Sequence, residues 1–99
     1  MPINITVSKS RNGKHKFEVR FPNKTVKFGA VGYSNYTIHK DPKRQARYIT
    51  RHQGKENWTD PKTPGFWSRW LLWSDPDWTR ALRITQQHVG RGYLIRNGT

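Results

Sequence analysis

The stretch Phe17-Glu18-Val19-Arg20-Phe21-Pro22-Asn23-Lys24-Thr25-Val26-Lys27-Phe28 decides the fold class. Phe17, Val19 and Phe21 alternate with Glu18 and Arg20, and Val26 and Phe28 alternate with Thr25 and Lys27. A period of two marks strands with one dry and one wet face, because successive side chains leave a pleated backbone on opposite sides. Pro22-Asn23-Lys24 between the runs has turn chemistry. Toward the N-terminus, Ser10-Arg11-Asn12-Gly13 is a second turn, since Asn-Gly accepts the positive φ of a tight hairpin. Before it, Ile3, Ile5 and Val7 alternate with Asn4 and Thr6. The pattern predicts three antiparallel strands, over residues 2–8, 14–21 and 25–29. Their outward face would carry Lys14, Lys16, Arg20 and Lys27.

Toward the C-terminus the period changes. Residues 29–37, punctuated by Gly29 and Gly32, show no helical period and are expected to form an ordered loop. Asp41-Pro42 then opens a helix, because Asp is a favoured N-cap and Pro fits the first helical turn. It runs to about His52, with Gly54 as its stop. Thr63-Pro64 opens a second helix, Gly65-Phe66-Trp67-Ser68-Arg69-Trp70-Leu71-Leu72-Trp73, apolar nearly all round. Such a helix belongs in a core or an interface. Asp75-Pro76 starts a third, to about Val89, with Trp78, Ala81, Leu82, Thr85 and Val89 along one side. Residues 91–99 read as a polar tail around Tyr93-Leu94-Ile95. The expected architecture is α+β: a single small basic domain over 1–99, with a β-meander (1–29), a helical part of about three short helices packed on one sheet face (30–90) and a tail (91–99).

Composition narrows the function. The chain has 99 residues, 19 Lys and Arg against 6 Asp and Glu, a formal charge of +13, and no Cys. Its length suits one domain. Only 32% of residues are hydrophobic, yet five are Trp, so a small core of large rings is expected. No run of 18 apolar residues can span a bilayer. The lack of Cys fits a reducing setting. Met1-Pro2-Ile3-Asn4 lacks the pattern of a secretory leader, so Asn-x-Thr triplets, as at Asn4, Asn23, Asn35 and Asn57, are taken as coincidence. A field of this strength favours an anionic partner.

Catalytic signatures are thin. Asp41, Asp60 and Asp75 precede Pro and suit caps or turns. Glu18 sits on a strand among basic residues, and no motif surrounds Glu56 or Asp77. His15, His39, His52 and His88 lack helical metal spacing, and no thiolate assists. Gly29-x-x-Gly32 lacks the remainder of a phosphate-binding loop. No catalytic residue, metal site, cofactor or small-molecule substrate is expected.

The basic residues are the strongest local signal. Lys43, Arg44, Arg47 and Arg51 share one side of the first helix, with Lys40 just before it, and no acid offsets them until Glu56. A solvated helix face normally mixes signs. Lys14, Lys16 and Arg20 form a second stripe on the sheet. These eight residues are the candidate anion- or partner-binding set. Tyr33, Tyr36 and Tyr48, interleaved with them, would stack on bases if exposed and complete the core if buried. Phe66, Trp67, Trp70, Leu71, Trp73 and Trp78 are candidates for core or for an interface, where aromatic residues anchor partners.

The strings Val26-Lys27-Phe28-Gly29, Gly32-Tyr33-Ser34-Asn35-Tyr36-Thr37, His39-Lys40-Asp41, Arg47-Tyr48-Ile49, Arg51-His52 and Trp58-Thr59-Asp60 lead into the Gly65–Trp73 run. Together they resemble a family of short proteins of unknown function encoded mainly by nucleocytoplasmic large DNA viruses. Pro64 stands where the family pattern has Ala, and Asn35 where it has Asp. The resemblance transfers no activity. It implies a setting: a protein of a large icosahedral DNA virus, found in the virion and made in the host cytoplasm or nucleus rather than secreted. Two expectations follow. The first is a non-enzymatic minor capsid or cement protein that binds neighbouring capsid proteins. The second is a sequence-independent protein that binds DNA or RNA for packaging or expression. An apolar helix docked on neighbours favours the first; a basic stripe open to solvent favours the second.

Overall fold

The computed structural model describes residues 2–99. Met1, which opens the expected domain and the expected leaderless start, lies outside the described residues. Three strands form where the alternation places them: β1 (Ile3–Lys9), β2 (His15–Phe21) and β3 (Lys24–Ala30). They pair antiparallel, with Val7 opposite Val19 and Val19 opposite Val26. The β1–β2 turn is closed by Asn12, whose Oδ1 accepts from the backbone N–H of Lys14 and of His15 at 2.9 and 3.0 Å, while Gly13 takes the positive φ.

The expected tail is a fourth strand. β4 (Tyr93–Asn97) pairs in parallel with β1, Ile5 opposite Ile95, so the sheet is mixed, in the order β3-β2-β1-β4. A side chain on a helix holds it there. Gln86 Nε2 donates to the carbonyl of Tyr93 at 2.8 Å, and Gln86 Oε1 accepts from the N–H of Ile95 at 2.9 Å. One amide thus substitutes for part of a strand ladder.

The segment expected to be a loop contains a short helix, α1 (Tyr36–His39). Asn35 starts it, its Oδ1 accepting from the N–H of Thr37. Lys40 ends it with a φ of 56°. The next helix, α2 (Pro42–His52), begins as predicted: Asp41 caps it through Lys43 N–H, with Pro42 in the first turn. The Trp-rich run is not one α-helix. It comprises α3 (Pro64–Trp67) followed by a π turn over Ser68–Leu72. Leu71 and Leu72 are consecutive and both buried; a π turn takes more residues per revolution than an α turn, so successive side chains diverge less and both can face the core. The last helix, α4 (Trp78–Val89), is capped by Asp77, not Asp75. Asp75 closes the preceding turn, accepting from the N–H of Asp77 and from Arg80 Nε.

The core lies between one sheet face and the helices. Ile5, Val7, Val19, Phe21, Val26 and Phe28 supply the sheet side, and Phe66, Trp67, Leu71, Leu72, Ala81 and Val89 the helical side. The indole N–H of Trp67 donates to the carbonyl of Pro61 at 2.6 Å, which satisfies the one polar atom of a fully buried ring. No helix is long and apolar enough to cross a membrane among the described residues.

Candidate functional site

α2 is fixed to the rest of the molecule by few groups. Tyr48 is its one buried residue, and its ring lies flat on Trp73, centroids 4.3 Å apart with planes 1° apart. Gln45 Nε2 donates to the carbonyls of Trp73 and Ser74 at 2.8 and 3.1 Å. Between this helix, the end of β3 and the Tyr33-Ser34-Asn35 segment lies an open cleft of about 970 Å³.

Its charge is one-sided. Arg44, Arg47 and Arg51 line it from α2, and Lys16 lines it from the sheet. Spacings of three and four residues place the arginines on one helical face, over a rise of about 10 Å. Among the described residues, the ion pairs are Arg20–Glu18, His52–Glu56 and Arg80–Asp75, so none of these four cations has a partner. Burial pulls the Lys16 ammonium below its ordinary pKa, since a half-covered cation without a counter-ion loses hydration.

Lys16 lines the cleft beside Gly29, which packs against Leu72. A Cβ on Gly29 would sit 3.5 Å from Lys16 Cβ and 3.0 Å from Leu72 Cδ1, at a φ of +75°. The stripe expected on the outward sheet face is therefore divided. Lys16 joins the arginines of α2. Arg20 pairs with Glu18 at 3.1 Å and lines a separate depression of about 500 Å³ with Lys9 and Arg11. Lys14 is exposed at the β1–β2 turn. Lys40 and Lys43 are exposed but do not line the cleft.

Aromatic groups and one acid complete it. Tyr48, Leu72 and Trp73 lie beneath, and Tyr33, 75% exposed, stands free at the edge. Burial first, then Glu56, pushes the Tyr48 phenol above its ordinary pKa, with Arg69 opposing. Of the three tyrosines expected either to stack or to pack, Tyr48 is buried, Tyr36 is half-buried and Tyr33 is open. Glu56 is the one carboxylate in the lining. It accepts from Trp58 Nε1 at 3.2 Å and lies 3.3 Å from His52 Nδ1, packed where a Cβ on Gly65 would come within 3.1 Å of it. His52 stacks on Tyr48 at 4.4 Å.

The other aromatic candidates belong to the core and its margin. Phe66, Trp67 and Leu71 are fully buried, and Trp73 is buried. Trp70 is half-buried, stacked on His88 at 3.5 Å and beneath Arg69 at 4.3 Å. Arg69 also lies 5.3 Å over Trp58, and its Nε and Nη1 are buried without hydrogen-bond partners. Trp78 is half-buried against Phe17. The sequence reading missed His52, Glu56 and Ser68 as cleft residues. Their assembly depends on α2 folding back over the Trp-rich segment, which no local pattern announces.

Fold and site thus define a class: a small α+β domain with a cationic, aromatic-floored cleft. Residues 5–52 match the model of a family of unknown function (DUF5754), a span that takes in most of β1, all of β2 and β3, and α2. No curated protein and no solved structure matches the chain.

Proposed function

We propose that this protein is a non-enzymatic, sequence-independent nucleic-acid-binding protein that takes hold of phosphates with the exposed face of α2. One observation carries the reading: Lys16, Arg44, Arg47 and Arg51 converge on one cleft, without counter-ions among the described residues. Four cations left unpaired repel one another, and a polyanion offsets that cost while releasing its own condensed counter-ions. The Trp-rich run, which a capsid-docking role would use as its anchor, is mostly spent on the core. The viral setting implied by the resemblance would make the genome or its transcripts the natural partner, inside the virion or in the infected cell.

A minor capsid or cement protein is the second reading. β4 is an edge strand of the sheet, and Leu94 on it and Ile3 on its neighbour are 41% and 45% exposed. Gln86 already bonds part of the β4 edge, so a capsid neighbour would meet the exposed Leu94 and Ile3 side chains more than a free strand ladder.

The test is binding of DNA and RNA oligonucleotides across a salt series. Neutralising about four phosphates gives a log–log slope near −3 for single strands and near −4 for duplex. Reversing Arg44, Arg47 and Arg51 to Glu together should lower affinity at least tenfold and leave the melting temperature within a few degrees, because all three are exposed. Unchanged affinity in that variant sinks the reading, and release of the protein with the shell during stepwise virion disassembly would select the capsid role.

A further inference from the structure

The cleft contains more than phosphate binding needs. Phosphates alone require cations and backbone donors. Here the floor is apolar, formed by Tyr48, Leu72 and Trp73, and Ala46 lines the helix side. At the edge stands Tyr33, which does not serve the core: it is 75% exposed, with its backbone N–H donating to the carbonyl of Ala30 at 3.3 Å. A large exposed ring beside a basic groove gains little in isolation. It gains much where a flat aromatic ligand can lie on it, and stacking on bases is tolerant of sequence because every base has a π face. Bases in a duplex already have both faces covered by their neighbours. Only an unpaired base presents a free face together with a flexible backbone able to follow the cations.

Resting on the nucleic-acid reading above, we infer that the cleft between α2 and the end of β3 is a single-strand site, in which a base stacks on Tyr33 while the flanking phosphates meet Lys16, Arg47 and Arg51. The placement of charge supports this arrangement. Arg44, Arg47 and Arg51 follow one line along α2, and Lys16 faces them from the sheet, so a strand passing between has cations on both sides. Glu56, held by Trp58 and His52, lies at one part of the lining only. Glu56 repels phosphates from its own part of the lining. Lys16 has a further reason to accept a phosphate: its half-buried ammonium regains from the anion what burial removed.

The experiment is fluorescence anisotropy on the full chain with labelled single-stranded and duplex oligonucleotides of about a dozen nucleotides, with heparin as a base-free polyanion competitor. Tyr33→Ala and Tyr33→Phe are measured beside the wild type. The expected result is single strand bound at least tenfold tighter than duplex and weak competition by heparin. Tyr33→Ala should lose roughly tenfold for the single strand and nothing for duplex, and Tyr33→Phe should retain wild-type affinity. Both variants should melt as the wild type does, because the side chain is exposed. Duplex bound as tightly as single strand, or Tyr33→Ala without effect, overturns the single-strand site while leaving nucleic-acid binding through α2 standing. Failure to bind either form at low salt overturns both.

Discussion

Tyr48→Ala tests how the functional helix is held. Removing a buried aromatic side chain costs about 3–5 kcal/mol where the surroundings do not collapse, and Tyr48 is 6% exposed and stacked on both Trp73 and His52. What then keeps α2 in place is the Gln45 amide, with hydrogen bonds to Trp73 and Ser74, the half-exposed His52–Glu56 pair and half-buried Ile49. Two hydrogen bonds contribute about 2 kcal/mol together. The loss exceeds the remainder, and an eleven-residue helix is marginal by itself. The expected outcome is local: α2 detaches while the sheet and the Trp-rich segment stay folded. Amide hydrogen exchange should show α2 losing nearly all protection, β1–β3 keeping theirs, and nucleic-acid affinity falling with every charge still present. Tyr48→Phe should behave as the wild type, because it keeps the ring on Trp73 and the phenol oxygen makes no hydrogen bond among the described residues. If α2 in Tyr48→Ala exchanges as slowly as the sheet, and the whole chain melts in one transition lowered by the full amount, then α2 is integral to the core and the reasoning is wrong.

Two further outcomes concern stability. Gln86→Glu should destabilise by about 2 kcal/mol at neutral pH, since a carboxylate still accepts from Ile95 N–H but faces the Tyr93 carbonyl with no proton to donate. Protonation restores the donor, so this carboxyl's folded pKa is raised; the stabilisation is present below the unfolded value and lost as pH rises, and the melting gap to the wild type should narrow on acidification, a pH-independent gap counting against the Gln86 clasp. His88 has its pKa held down by burial and then by Arg69, so the unfolded chain takes up its proton first and stability should decline as pH falls below about 6.5. His88→Phe keeps a ring on Trp70 and removes that proton uptake; its melting temperature should fall less between neutral and mildly acidic pH, and an identical pH profile would refute the assignment.

Much of the sheet was legible because its signals are local. Alternation in β1, β2 and β3 declares which face is buried, and Asn12-Gly13 declares a turn. The Asp41-Pro42 cap was legible for the same reason, since donor and acceptor lie two residues apart. β4 was not: three apolar residues among polar ones carry no period, and its partners are β1, some ninety residues away in sequence, and Gln86, whose role is invisible without geometry. The π turn was hidden because its run of apolar residues fits any buried helix. For the candidate site, the arginines of α2 stood out as unopposed charge. Lys16 shares the strand face of Arg20, as alternation requires, but sits near the other end of β2, where it lines the α2 cleft. Tyr33, Tyr36 and Tyr48 were distinguishable only by burial, a tertiary property.

The parallel pairing of β1 with β4 has a consequence for biosynthesis. A ribosome delivers Ile3–Lys9 early, yet the strand that covers its open flank is supplied only when Tyr93–Asn97 has emerged. While the residues between these two strands are made, the nascent chain therefore has an uncovered flank beside Ile5 and Val7, and the sheet closes only after β4 has left the ribosome. Contacts this distant in sequence form slowly, so the open flank of β1 is exposed longer than any other part of the sheet's ladder.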